Sequence, residues 1–317
     1  MSGGVIDGAQ GVGLWGIPLA MIGGMIRVST PYLFVSLGET LTEKSGRVNL
    51  GLEGTLLVGA VSAYGVSYLS GSPWLGVLAA GGCGVLLGAF HAALCSRPRV
   101  NDIAVGIAMM LFGMGLSFYA GKPLIQPEAP QLPALEFGAF SDHPGVREAL
   151  QINPLFLIGV ALAPALRYAL GSTRYGLLLR MAGESSDATR ALGYSVQRIR
   201  LLATMAGGFL AGVGGSFLSL YYPGVWNEGL SSGQGLIAVA LVIFARWNPI
   251  YCLYASLIYG AAGSLGPALQ SAGFSVGPHL LNAAPAMLTL LVMVITCSPE
   301  RALRGAPAEL SAEGARS

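Results

Sequence analysis

The sequence predicts an all-α fold, a polytopic transmembrane helical bundle of about nine spans (roughly eight to ten). Three observations predict it. Charged residues make up 10% of the 317-residue chain and apolar residues 53%, whereas an ordinary soluble domain is about 25% charged. Mean hydropathy is +0.65. Apolar runs of the length that crosses a bilayer core, about 20 residues, recur along most of the chain. A soluble protein of this composition would expose too much apolar surface to stay in solution. The 47 glycines suit closely packed membrane helices, and a net charge of +2 makes no case for nucleic acid.

Taken in order, the runs are Leu14–Leu37, Thr55–Leu69, Trp74–Cys95, Ile103–Ala120, Ile152–Leu170, Leu201–Tyr221, Gly235–Ala245, Ile250–Leu269 and Leu280–Cys297. The second and seventh are short, so each either begins earlier than drawn or is a broken helix. Met1–Gly13 carries no Lys, no Arg and no cleavage site, so the first helix is expected to insert uncleaved. Cys83, Cys95, Cys252 and Cys297 lie inside apolar runs without metal-ligand spacing and read as packing residues.

Charge placement orients the bundle. Lys44, Arg47, Arg97, Arg99, Arg167, Arg174, Arg180, Arg190, Arg198, Arg200, Arg246, Arg301, Arg304 and Arg316 fall on one side, against Lys122 and Arg147 on the other. Basic residues are retained on the cytoplasmic side. The C-terminus is therefore expected inside, and with an odd span count the N-terminus outside. This divides the chain into a transmembrane domain, 1–304, and a short cytoplasmic tail, 305–317. The proline-rich connection 122–150 is external, and the basic connection 171–200 is cytoplasmic.

Three segments carry unusual polarity. Between Gly38 and Gly54 lie Glu39, Glu43, Lys44, Arg47, Asn49 and Glu53. Gly46, Gly51 and Gly54 weaken continuous helix there. Asn49 and Glu53, four apart, share a face of any helical stretch. The segment reads either as broken helix presenting dipoles to a polar solute or as a hydrated loop. Arg27 lies mid-run, where insertion costs about 2.5–3.5 kcal/mol. It needs a partner, for which Glu39 and Glu53 are candidates, or a route to the interface.

In the cytoplasmic connection, Glu184-Ser185-Ser186-Asp187-Ala188-Thr189-Arg190-Ala191-Leu192-Gly193 predicts a short helix. Ser185 or Ser186 caps its start, Asp187 suits its first turn and Gly193 ends it. Ala188 and Ala191 would be exposed to a partner's groove, the alternative being a hydrated connector. The third segment runs from Ser231 to Pro249. A glycine-broken entry precedes an apolar run that ends in Arg246-Trp247-Asn248-Pro249. Arg246 and Trp247 read as interfacial anchors, Pro249 as a helix start, and Gln234 as a candidate pathway residue.

The chain has no phosphate-binding loop. Its only lysines, Lys44 and Lys122, lack the Gly-Lys-Ser/Thr context. His91, His143 and His279 are scattered, and no catalytic constellation or metal site is legible. Any ATP-driven process would need a partner that binds ATP. A gradient-driven transporter would call for carboxylates inside the spans, which are scarce here, and a membrane scaffold is a further alternative.

These segments, in order and spacing from about residue 25 to 297, resemble the permease family of the ABC importers for branched-chain amino acids, simple sugars and nucleosides. The nucleoside and simple-sugar branch resembles the chain most. The carrying residues are Leu37–Glu39, Thr42–Gly54, the loop Gly183–Gly193, and Gly235 through Arg246-Trp247-Asn248-Pro249. Asn49-Leu50-Gly51-Leu52-Glu53-Gly54 is the most specific stretch. The resemblance implies a type II importer permease in the bacterial inner membrane, not itself catalytic. Its expected partners are two cytoplasmic subunits that bind ATP and Mg, a second permease (homologous or identical), an external solute-binding lipoprotein and membrane lipid. The coupling helix would fall on Glu184–Gly193, and Asn49, Glu53 and Gln234 would line the pathway. Nucleosides are the first expectation for the solute, pentose-type sugars the second and an ion-driven transporter a distant third. Ser185-Ser186 stand where some members have Asn-Pro, which leaves the identity of the ATPase open, and Ala245 stands where many have Gly.

Overall fold

The structure of the chain, a computed structural model, describes residues 16–125, 127–138, 144–271 and 305–310, with Pro285, Met287, Leu288 and Leu291. Its helices are α1 (Gly16–Lys44), α2 (Leu52–Ser70), α3 (Pro73–Cys95), α4 (Asp102–Gly121) and α5 (Pro144–Ala149). They continue as α6 (Pro154–Ser172), α7 (Arg174–Glu184), α8 (Ser186–Ala191), α9 (Val196–Leu220), α10 (Gln234–Phe244) and α11 (Pro249–Ser271). Seven of them, α1–α4, α6, α9 and α11, are long and apolar enough to cross a membrane.

One of the nine expected runs is too short to cross a bilayer core. Gly235–Ala245 is the 11-residue α10, about 16 Å long at 1.5 Å per residue, roughly half a bilayer core. It is a half-helix entered through a non-helical turn. Leu280–Cys297 lies almost wholly outside the described residues. The run Thr55–Leu69 begins earlier, at Leu52. The first span also extends farther than its apolar run, because α1 continues through Glu39 and Glu43 to Lys44. Those acids are buried and find partners in the connections that follow α1 and α10, so polarity does not end the helix.

The core sits between α1, α2 and α9, with Leu33, Phe34, Leu37, Leu56, Leu57 and Phe217 among its fully buried side chains. α9 is central and packs on α1, α2 and α3. Its approach to α3 is backbone on backbone. A Cβ on Gly84 would overlap the Gly208 carbonyl, one on Gly208 the Gly84 carbonyl, and one on Gly212 the Ala80 carbonyl. Small residues that let backbones meet are how helices associate where lipid removes the hydrophobic drive. α4 turns Ile103, Ile107, Leu111, Phe112 and Leu116 outward, as a lipid-facing helix would.

At the opposite end of the bundle from α8, the proline-rich connection is pinned by side chains. The Tyr64 hydroxyl donates to the Pro127 carbonyl at 2.8 Å and the Ser67 hydroxyl to the Pro130 carbonyl at 2.7 Å. Gln131 donates to Gly224 at 3.0 Å and Asn153 to Pro133 at 3.2 Å. A two-residue antiparallel pair, β1 (Leu135–Glu136) with β2 (Gln151–Ile152), closes it. Prolines cannot donate to a ladder, so a proline-rich stretch forms no regular one, and side-chain donors satisfy its carbonyls.

Helix packing gives a paired test. Gly84→Leu overpacks the α3–α9 contact and is expected to destabilise by about 1–3 kcal/mol or more, seen as a lowered thermal midpoint in detergent. Gly82→Ala, with open space around its Cβ, is expected to leave the midpoint unchanged or raise it. Equal behaviour of the two would refute the backbone-contact account.

Candidate functional site

Three buried glutamates of the α1–α2 hairpin organise the polar interior. Glu39, Glu43 and Glu53 are all at most 4% exposed, and each carboxylate accepts from a backbone amide or an indole. Glu39 Oε1 takes the Asn49 N–H at 2.8 Å. Asn49 Oδ1 in turn accepts the Gly51 N–H at 3.0 Å, an Asx turn that leads into α2. Glu43 Oε2 accepts from the Trp247 indole Nε1. Glu53 Oε1 accepts from the Ser231 hydroxyl at 2.5 Å and the Gly233 N–H at 3.0 Å, and its Oε2 accepts the Gly235 N–H at 2.6 Å.

Glu53 thereby holds the turn that opens α10. Ser232 and Gly233 sit at φ +46° and +82°, a left-handed turn that exposes amides normally satisfied inside a helix. A carboxylate there also complements the positive end of the half-helix. At the other end of α10, Arg246 and Trp247 adopt φ +51° and +53°, an uncommon pair for non-glycine residues. Trp247 N bonds Val242 O at 3.1 Å, and the indole is buried against Glu43. The interfacial-anchor expectation for Trp247 is corrected by this burial. Arg246 is exposed.

The expected pathway residues Asn49, Glu53 and Gln234 come together only in part. Asn49 precedes α2 rather than sharing its face with Glu53, because α2 starts at Leu52. Glu53 and Gln234 meet at the α10 entry, where the buried Gln234 Oε1 has no hydrogen-bond partner among the described residues. The glycines divide by role. Gly46 takes φ +84° as α1 ends, while Gly51 and Gly54 let α4 approach, since added Cβ atoms would lie 2.8 Å from Met109. Arg27 reaches neither Glu39 nor Glu53. Glu39 is twelve residues along the same helix, about 18 Å away, and Arg27 lies beside Tyr221.

At the end of the bundle where α1 finishes, Ser185 Oγ accepts the Ala188 N–H at 3.2 Å and caps α8, Ser186–Ala191. Gly193 follows at φ +83°. Thr189 faces inward, whereas Glu184, Asp187, Ala188, Arg190, Ala191 and Leu192 are exposed. The Arg190–Asp187 pair at 3.0 Å is itself solvated and contributes little. Sequence reading missed three polar links at this end. Arg47 pairs with Asp102. Arg200, one of the basic residues expected on the cytoplasmic side, is buried and donates to the Ser45 and Ala182 carbonyls at 3.0 and 3.4 Å. Glu309 accepts from the Ser186 N–H at 2.9 Å and pairs with Arg200 at 3.4 Å. Burial raises the Glu309 pKa, but the Ser186 and Arg200 interactions outweigh it and hold the carboxyl below its ordinary value. It is charged at neutral pH.

Comparison with known proteins gives the site its context. The family described as branched-chain amino acid transport system / permease component matches residues 21–297. The nucleoside ABC transporter permease protein NupC of Lactococcus lactis is 29% identical, covering 87% of this chain and 91% of the relative. The guanosine ABC transporter permease protein NupQ of Bacillus subtilis is 30% identical, over 75% and 78%. A permease of Haloferax volcanii, TsgC13, provisionally named for glucose, is 32% identical over 82% and 80%.

Removing the Glu53 clamp is a direct test of the α10 entry. Glu53→Ala strips acceptors from the Gly233 and Gly235 amides at a cost of about 1–3 kcal/mol for each buried donor left unsatisfied. Faster hydrogen exchange at 231–235 is expected, with a smaller effect for Ser231→Ala. Unchanged exchange in Glu53→Ala would show that the turn is held by other contacts.

Proposed function

The chain belongs to the family of branched-chain amino acid transport system permease components, and we propose that it forms the translocation pathway of an ABC importer for nucleosides. Membership across residues 21–297 makes it an integral membrane permease. The observation that carries the substrate class is the end-to-end likeness to NupC, over 87% of this chain and 91% of that one, with NupQ beside it. A sugar is the second reading, favoured by the 32% identity to TsgC13.

The mechanism follows from the polar links. In this proposal α8 is the coupling helix, Glu184–Gly193 docks in a cytoplasmic ATPase subunit, and ATP and Mg are bound there. Its exposed Ala188 and Ala191 allow close approach, and its length of six residues makes it a short tooth rather than a lever. Motion of α8 would reach α9 directly and α1 through Arg200, which bridges α9 to the Ser45 and Ala182 carbonyls. α2 holds the entry of α10 through Glu53 and α1 holds its far end through Glu43 and Trp247, so displacement of the hairpin would re-aim that half-helix. Gln234, at its start, offers a carbonyl oxygen to a polar solute.

A full complex would contain two ATPase subunits, a second permease and an external solute-binding lipoprotein. The proposed orientation puts the α8 end and the C-terminus in the cytoplasm of a bacterial inner membrane, with Leu280–Cys297 as a further span of a type II arrangement of about nine spans.

Uptake by cells deleted for this chain tests the reading. Loss of radiolabelled guanosine and uridine accumulation, restored by the wild-type chain, is expected, while glucose and ribose uptake stays unchanged. The reverse pattern would select the sugar reading. Reversing charge at both Glu184 and Arg190 is expected to release the ATPase subunit on purification and lower uptake at least tenfold. Full ATPase recovery with normal uptake would remove α8 from the coupling role.

A further inference from the structure

The C-terminal segment 305–310 does not hang free. It lies across the α8 end of the bundle, where it meets the ends of α1 and α7, the starts of α8 and α9, and the α10–α11 turn. Lys44 Nζ, at the close of α1, donates to the Gly305 carbonyl at 3.0 Å. Gly305 lies beside the Arg246 carbonyl of the α10–α11 turn, and the buried Pro307 packs over Gly183, where an added Cβ would approach it to 3.2 Å. Leu310 N bonds Pro307 O at 3.2 Å and closes a turn, which presents Glu309 inward.

Glu309 is the junction. One carboxylate oxygen accepts the Ser186 N–H at 2.9 Å and the other meets the Arg200 guanidinium at 3.4 Å. Its Cβ lies so close to Gly46 that a side chain there would touch it. Arg200 in turn binds the Ser45 and Ala182 carbonyls. One carboxylate therefore ties the start of α8 to α9 and, through Arg200, to the end of α1 and the last turn of α7.

The need for such a tie is physical. A six-residue helix is far below the length at which helix persists alone, about 12–15 residues, and only Thr189 of α8 faces inward. The α7–α8 junction at Ser185 is extended, at φ −156° and ψ 107°, a hinge that would absorb a push on α8. Charge-assisted hydrogen bonds are the stronger kind and fix geometry as well as energy.

We propose that segment 305–310 is an intramolecular strap and Glu309 a positioning residue of energy coupling, which locks α8 to α9 and α1 so that force applied to α8 reaches the spans instead of flexing the hinge. This rests on the reading of α8 as the coupling helix.

The test uses the assembled transporter in lipid nanodiscs, with hydrogen exchange followed before and after trapping with ATP and vanadate, which needs no knowledge of the solute. In the wild type, trapping is expected to change exchange both in α8 (186–192) and in the α1 end (42–47). Glu309→Ala is expected to raise basal exchange at Ser186–Ala188 about tenfold and to abolish the response at 42–47, with the ATPase subunits still bound. Glu309→Gln keeps an oxygen for the Ser186 N–H and is expected to recover most of the basal protection. A purely structural role would lower the thermal midpoint but leave the 42–47 response in the folded complexes. Retention of that response in Glu309→Ala overturns the strap. Absence of any response at 186–192 in the wild type overturns the coupling role of α8 instead.

Discussion

Wherever a chain leaves helical geometry away from water, each freed amide needs an acceptor from the same chain. In this protein the acceptors are carboxylates of the α1–α2 hairpin. Glu53 takes the amides of Gly233 and Gly235, and Glu39 takes that of Asn49. Without Glu53 the turn before α10 would expose unsatisfied donors, and α10 would have no fixed start. Burying three acids is costly. That cost is offset because each meets donors aligned by backbone that is itself held in place. The half-helix and the hairpin are thus mutually dependent.

The apolar frame serves the same arrangement. α9 reaches the centre of the bundle because Gly207, Gly208, Gly212 and Gly215 leave room for the backbones of α1, α2 and α3. Close backbone packing fixes distances more tightly than interdigitated long side chains, since few rotamers remain to adjust. A rigid α1–α2–α9 unit with a half-helix clamped to it, and α8 strapped to one end, can move as a body. Such a body suits the transfer of a small displacement from one end of the bundle to its middle.

Legibility differed with the range of the interaction. The seven span-length helices followed from apolar runs, and the α8 cap from Ser185 within three residues of its donor. The apolar run ends short of the end of α1, because Glu39 and Glu43 are polar in sequence while their partners, Asn49 and Trp247, lie ten and 204 residues away. Trp247 read as an interfacial anchor for the same reason. The charge of Arg27 calls for a partner or a route to the interface, whereas only its position on a continuous helix puts it beside Tyr221.

The sequence by itself determined that the chain is a helical membrane protein, where most spans lie and how α8 is capped. Hydropathy and capping act over one to four residues and need no knowledge of the fold. The tertiary structure alone decided which acids meet which donors. Glu53 and Ser231 are 178 residues apart, and Ser186 and Glu309 are 123 apart. A carboxylate carries the same local signature whether it is hydrated or clamping a distant turn, and only the packing of α9 among α1, α2 and α3 brings those pairs within reach.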